Sequence, residues 1–268
     1  MRPYIDLVQD ILRHGERRDD RTGVGTLSIF DAKLSFDLRQ RFPLVTLKET
    51  RWKIAFLEML WFLRGEETTK WLNDHGSKLW DAWADDDGYL GPIYGVQMRR
   101  WYDDIDEVYI DQVRMMIEGL RTNPTGRRHY LTMWNVADIS RMALPPCHHS
   151  HQCYVTNDGH LDLKVFIRSS DVALGLPFNV AAYALLAHLY ARAAGLTARR
   201  LIVDIGDAHL YLNHVDAMRE AVSMRVPVYC QPQLWIKTDN TDIDGYKPED
   251  FDITGYTFHP HIQLPVAV

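Results

Sequence analysis

Apolar residues recur at helical spacing in four stretches of the chain. Residues 3–16, PYIDLVQDILRHGE, place them three and four apart behind Pro3, a residue tolerated in a first helical turn. Residues 50–65, TRWKIAFLEMLWFLRG, are apolar nearly all round and end at Gly65, which predicts a buried helix. Residues 111–124 (DQVRMMIEGLRTNP) are amphipathic, and 179–195 (NVAAYALLAHLYARAAG) are apolar enough for the core. Alternating or β-branched runs predict strands at 25–38, 128–136, 152–157, 160–169, 200–205 and 233–238. Asn157-Asp158-Gly159, between two of these, reads as a hairpin turn because Asp-Gly readily supplies positive φ. Strands and helices do not alternate regularly, so the class is α+β rather than a doubly wound sheet. No repeat, low-complexity tract or linker divides the sequence, and residues 1–268 read as one domain.

Composition narrows the function. A chain that is 46% hydrophobic and 25% charged has the balance of a folded globular protein. Its net charge of -6 argues against a general nucleic-acid or membrane-surface binder. No apolar run approaches the roughly 20 residues that span a bilayer, and MRPYIDLVQD lacks the apolar centre of a secretory leader. Three cysteines, Cys147, Cys153 and Cys230, are too few for a disulfide framework and imply a reducing, cytoplasmic setting.

The chemistry concentrates in ALPPCHHSHQCYV, residues 143–155. If 147–153 is extended, the two-residue period puts Cys147, His149, His151 and Cys153 on one face and His148, Ser150 and Gln152 on the other. Cys and His are the usual zinc ligands, but structural zinc sites draw pairs from separate segments, and Cys230 has no CxxC or HxxxH partner. The plain alternative is core thiols beside satisfied histidines, which suits Cys153. Cys147 differs: Pro145 and Pro146 remove two backbone donors and place it at a loop edge. A nucleophilic thiol there needs nearby cations, and TGRRHY and VFIRSSD supply candidate arginines.

Read in order, DDRTGVGTLSIF (19–30), FPLVTLKET (42–50), LEMLWFLRG (57–65), LWDAWADDDGYLGPIYG (79–95), RRHYLTMWNV (127–136), LPPCH (144–148), IRSSDVALGLPFN (167–179), GDAHLYLNH (206–214) and PVAV (265–268) resemble the thymidylate synthase family. The likeness spans essentially the whole chain. It implies an α+β domain with a mixed, twisted central β-sheet packed by helices, and a homodimer formed through the sheet face. It also implies one-carbon transfer from 5,10-methylenetetrahydrofolate to carbon 5 of deoxyuridylate (dUMP), with no metal.

Each matching position then carries an implied role. Arg21 and Arg168, with Arg127 and Arg128 from the partner subunit, would grip the phosphate in guanidinium forks and favour the Cys147 thiolate. Ser169 would add a hydroxyl, and His209 and Tyr211 would hold the sugar. Asn179 would read uracil, since an amide can accept from the ring N–H and donate to the adjacent carbonyl; related cytidylate hydroxymethylases have aspartate there. Asn179 also reads as the cap of the helix beginning at that point. Cys147 would add to carbon 6, with Glu58 organising acid–base steps and Tyr94, His148 and Asn135 completing a polar network. Leu79, Trp80, Trp83, Asp171, Leu174, Gly175, Phe178 and, in the closing tail, Ala267 would hold the folate, Asp171 as its polar anchor.

Departures from the family pattern bear on the product. Hydride capture of the exocyclic methylene gives thymidylate (dTMP), and water capture gives 5-hydroxymethyl-dUMP. His149, Ser150, His151 and Cys153 stand where apolar or aromatic residues are usual, Met98 replaces a tryptophan, and Glu49 a basic residue. Polar groups near the nucleophile would admit water, whereas Trp80 and PVAV would exclude it. Reductive methylation is the primary expectation, with a dUMP hydroxymethylase as the alternative and a non-catalytic metal- or nucleotide-binding module as the remaining one.

Overall fold

The computed structural model describes residues 2–226 and 228–266. Six strands form the central sheet in the order β1-β2-β8-β7-β6-β5: β1 (Glu16–Arg18), β2 (Thr26–Asp37), β5 (Tyr130–Thr132), β6 (His148–Val155), β7 (His160–Asp171) and β8 (Thr197–Tyr211). All neighbours are antiparallel except β7 and β8, so the sheet is mixed, as expected. A parallel pair needs a crossover, and helix α6 (Gly175–Ala194) supplies it. Two small hairpin-like pairs lie apart, β3 (Trp101–Asp103) with β4 (Val108–Ile110), and β9 (Gln233–Ile236) with β10 (Phe251–Thr254).

The helices cover one sheet face. α1 (Arg2–His14) buries Tyr4, Ile5, Leu7, Val8 and Ile11 against it. α2 (Trp52–Arg64) and α6 are buried on nearly every side and pack on each other, which explains their lack of a polar stripe. Each fully buried Leu of α6 contributes about 1.5–3 kcal/mol over an exposed one. Helices α3 (Lys70–Asp74), α4 (Tyr94–Arg99), α5 (Gln112–Thr122) and α7 (Leu212–Met224) complete the layer. Gly95 is required where α4 crosses α2, since a Cβ there would lie 2.7 Å from the Phe62 carbonyl oxygen. That close approach seats Tyr94 beside Phe62, ring centroids 4.8 Å apart. No helix among the described residues is long and apolar enough to cross a membrane.

The opposite sheet face is uncovered and carries Phe30, Tyr130 and Tyr154 in exposed positions. A line of irregularities crosses the sheet there. Asp31 has φ 70°, and a Cβ on Gly206 would meet the Arg168 carbonyl at 2.9 Å. The β6–β7 register shifts between His148 and Ser150. Such bulges re-aim side chains and end regular pairing, and here they do so beside Cys147 and Arg168.

The bulge corrects the strict two-residue alternation expected for 147–153. His148 and His151 both point to the helix layer, their nitrogens reaching the hydroxyls of Tyr183 (2.8 Å) and Tyr190 (3.0 Å). His149 and Ser150 both lie on the opposite side, where Tyr130 donates to Ser150 Oγ at 2.8 Å and His149 Nδ1 is 3.1 Å from that oxygen. One extra residue reverses the parity of everything before it. A second correction concerns Asn179. Helix α6 begins at Gly175 with Leu174 as its cap residue, so Asn179 lies inside the helix and caps nothing.

Candidate active site

Cys147 is half-buried at the end of the Pro145-Pro146 approach, one residue before β6. Its backbone N–H donates to the Tyr94 hydroxyl at 2.8 Å, and its carbonyl accepts from Arg168 N–H at 2.8 Å. The Arg168 guanidinium donates to the carbonyls of Pro145 and Pro146, both at 3.0 Å, and stands 3.8 Å from Cys147 Sγ. The prolines leave unpartnered carbonyls on a strand-like approach, and one arginine satisfies both. Burial pushes the Cys147 thiol above its ordinary pKa, while Arg168 and the Tyr94 hydroxyl pull it down. The expected thiolate-favouring effect is therefore present in direction but outweighed by desolvation in the free chain.

Beneath the thiol lies an aromatic chamber. The Tyr94 and His148 rings are 4.4 Å apart, and Phe62 and Trp80 complete the cluster. Glu58, on α2, is buried, and Trp80 Nε1 donates to its Oε1 at 2.9 Å. Desolvation raises its pKa to about 7 against the opposing effect of that hydrogen bond. His148 and His151, both buried, are held neutral, with pKa values depressed to about 3 by burial.

Asn135 departs from its expected place. Its side-chain nitrogen donates to Gln97 and Asp138 rather than joining Tyr94 and His148. Met98 is fully in the core, and Glu49 is half-buried.

The other predicted residues gather around the mouth. Arg21 is exposed on the loop before β2, which Asp20 shapes by accepting from Thr22 and from the Gly25 N–H. Ser169 and Asp171 end β7, paired with Asp207 and His209 of β8. His209 Nδ1 lies 2.9 Å from Asp207, which also accepts from Ser28 and Arg18. The Tyr211 ring stands edge-on to His209 at 5.3 Å. Arg127 and Arg128 are exposed just before β5, with no ion pair among the described residues. Around the chamber rim, Leu79 is exposed, Trp83 sits 5.7 Å from Trp80, and Leu174, Gly175, Phe178 and Asn179 are half-buried at the start of α6. Asp171 Oδ1 accepts from the N–H groups of Ala173 and Leu174, fixing the turn into that helix. Ala267 lies outside the described residues.

Two groups escaped the sequence reading. Asp207 orients His209, and its signal was available, since residues two apart on a strand share a face. Lys48 is buried, its pKa lowered by desolvation to about 8, with Asp171 the one charge that opposes the shift. It is the single cation of the run 42–50 and is buried with it, whereas its neighbour Glu49 stays half-buried.

These pKa shifts predict a two-stage loss of stability in acid. The unfolded chain takes up protons at His148 and His151 below pH 6.5, while the folded chain excludes them until about pH 3, so stability falls with pH across that window. Glu58 acts oppositely between pH 4.5 and about 7, where only the folded form is protonated. His188, buried and depressed to about 4, adds to the same loss, so the expected fall is on the order of a few kcal/mol per pH unit, gentler between pH 6.5 and 4.5, where Glu58 offsets part of it, than below. Urea unfolding from pH 7 to 4 measures it; Glu58→Gln should remove the gentler stage, and a flat profile would contradict the buried neutral histidines.

Among the described residues, no three His, Cys, Asp or Glu side chains cluster so as to hold a metal ion. The family model described as Thymidylate synthase matches residues 2–268. Folate-dependent one-carbon transfer to dUMP, with 5,10-methylenetetrahydrofolate as co-substrate, is the activity of that family. A match that takes in every element of this site and nearly every residue of the sequence means that the chain belongs to the thymidylate synthase family, as a one-carbon transferase.

Proposed function

We propose that the protein reductively methylates dUMP to dTMP through a covalent Cys147 adduct. The observation that carries this reading is the placement of Cys147 Sγ beside the Arg168 guanidinium, with the Cys147 backbone N–H on Tyr94 of the buried aromatic group whose Trp80 holds Glu58. Cys147 adds to carbon 6 of the pyrimidine, which makes carbon 5 the nucleophile toward the folate methylene. When bound, the folate supplies that carbon and, once the carbon 5 proton is lost and its own bond to the methylene breaks, a hydride, so that the Cys147 thiolate is expelled and dihydrofolate departs. Glu58, with a pKa near neutrality, can both give and take a proton at the pyrimidine and relay the carbon 5 proton outward. Tyr94 and His148 fix the position of the thiol's backbone and the chamber wall. Asn179 selects uracil, and Arg21, Arg168 and Ser169 bind phosphate, with His209, held by Asp207, and Tyr211 on the sugar. Trp80, Trp83, Leu79, Leu174, Gly175 and Phe178 face the pterin, with Asp171 as its polar anchor.

The direction of the polar substitutions supports methylation over hydroxymethylation. His151 pairs with Tyr190, and His149 and Ser150 turn to the other side of the strand and pair with each other, so none of the three is hydrogen-bonded to Glu58. Trp80, 5% exposed, roofs Glu58 and keeps that side dry. The same reading makes the protein a homodimer through the uncovered sheet face, where exposed Phe30, Tyr130 and Tyr154 would be buried and Arg127 and Arg128 could reach the partner's phosphate site.

Incubation with dUMP and 5,10-methylenetetrahydrofolate tests the reading. Equimolar dihydrofolate, followed by its absorbance, and a nucleotide heavier by a methylene group are expected. A nucleotide carrying a hydroxymethyl group, formed without dihydrofolate, would establish the hydroxymethylase instead.

A further inference from the structure

His214 is a fully buried imidazole to which none of the roles above is given. It stands near the start of α7, three residues after Tyr211, whose ring meets it edge-on at 5.6 Å. Its Nε2 lies 2.7 Å from the carbonyl oxygen of Pro265, 51 residues further along the chain. A carbonyl can only accept, so this nitrogen carries a proton. Its Nδ1 is buried without a hydrogen-bond partner among the described residues and faces Asp171 Oδ1 at 3.9 Å. One ring therefore bridges three pieces of the site: the segment at Leu264–Val266, the Asp171 carboxylate, and the Tyr211 wall.

The unpartnered nitrogen points to a ligand. With the proton on Nε2, Nδ1 presents a lone pair toward a carboxylate, two acceptors with no donor between them. A single group with two hydrogens, a water or a ligand amine, satisfies both at that separation. The same imidazole holds the Pro265 carbonyl, so a donor at Asp171 and the seating of the 264–266 segment are coupled through one rigid ring.

We propose that His214 is a positioning residue for the folate half of the site, tying the 264–266 segment to the Asp171 anchor. This rests on the folate reading given above for Asp171. Because the ring pairs with Pro265 and faces Asp171 through its nitrogens but meets Tyr211 only edge-on, its loss should weaken folate binding far more than nucleotide binding.

The test is equilibrium binding of dihydrofolate in the presence of saturating dUMP, read by tryptophan fluorescence. His214→Phe should weaken dihydrofolate binding about tenfold while changing the Kd for dUMP less than twofold. His214→Gln, whose amide can donate where Nε2 does, should recover most of the loss, and His214→Asn should not. In a chain ending at Leu264, which lacks the Pro265 carbonyl, His214→Phe should add less than a twofold further effect. Dihydrofolate binding within twofold of wild type in His214→Phe would overturn the proposal. So would an equal loss in both backgrounds, which would mark a merely structural histidine. If His214→Phe fails to fold, the comparison of the Gln and Asn variants decides, and equal behaviour of the two overturns it. Failure of the underlying reading looks different: the unmodified protein would then transfer no one-carbon unit to dUMP.

Discussion

Replacing Cys147 with alanine is expected to lower turnover of dUMP by at least about four orders of magnitude, while the Kd for dUMP changes less than about threefold. The two effects separate because the thiol and the arginines do different work. Sγ is the one thiol among the described residues that lies beside Tyr94 and Arg168, and its removal takes away the group that would add to carbon 6. The half-buried side chain is small, and its backbone contacts to Tyr94 and Arg168 survive the change. Single-turnover product formation together with calorimetric nucleotide binding measures both quantities. Turnover within a hundredfold of wild type would sink the covalent mechanism, and loss of dUMP binding would show that the cysteine loop had collapsed.

Arg168→Lys should reduce kcat/KM by about a hundredfold to a thousandfold, equivalent to roughly 3–4 kcal/mol. The guanidinium fork holds two consecutive proline carbonyls while facing the thiol. A lysine ammonium keeps the charge but is a point donor that cannot span the same three partners. The loss therefore measures geometry rather than charge. Alkylation of Cys147 across a pH series gives a second readout, because Arg168 is the largest influence lowering that thiol's pKa. The alkylation profile of Arg168→Lys should move to higher pH. A variant within tenfold of wild type would mean that the phosphate arginines act independently of the cysteine loop.

Much of the fold is legible in the linear pattern, and the failures have physical causes. All four helices named from periodicity exist, because long apolar faces must be buried somewhere. The Asn157-Asp158-Gly159 turn joins β6 and β7 as its composition demands. The short elements α3, α4 and the β3–β4 pair carry too little period to stand out, and helix α7 (Leu212–Met224), though longer, is not named from periodicity either. The run 128–136 yields only three strand residues, Tyr130–Thr132, although the His129 carbonyl and the Met133 N–H still bond to β6. The fourth helix starts four residues earlier than Asn179, since Gly175 and Pro177 obscure a first turn that tolerates both.

The site divides in the same way. The PPCH sequence marked Cys147 as a loop-edge residue, and strand parity could have paired Asp207 with His209. The orientations of His148, His149 and His151 are not readable in the sequence, because they depend on a one-residue shift in the pairing of β6 with β7. Nor was the His214 contact to Pro265, which joins positions 51 residues apart.

By itself, then, the sequence determined the α+β class, the buried helices, the turn chemistry and the marking of Cys147 as a loop-edge candidate, since these follow from local period and residue type. Tertiary structure alone decided which way the histidines turn, that Arg168 clasps the proline carbonyls, and that burial shifts Glu58 toward neutrality and depresses His148 and His151. Those outcomes depend on what desolvates a group and what approaches it across strands distant in the chain, and no local pattern encodes either.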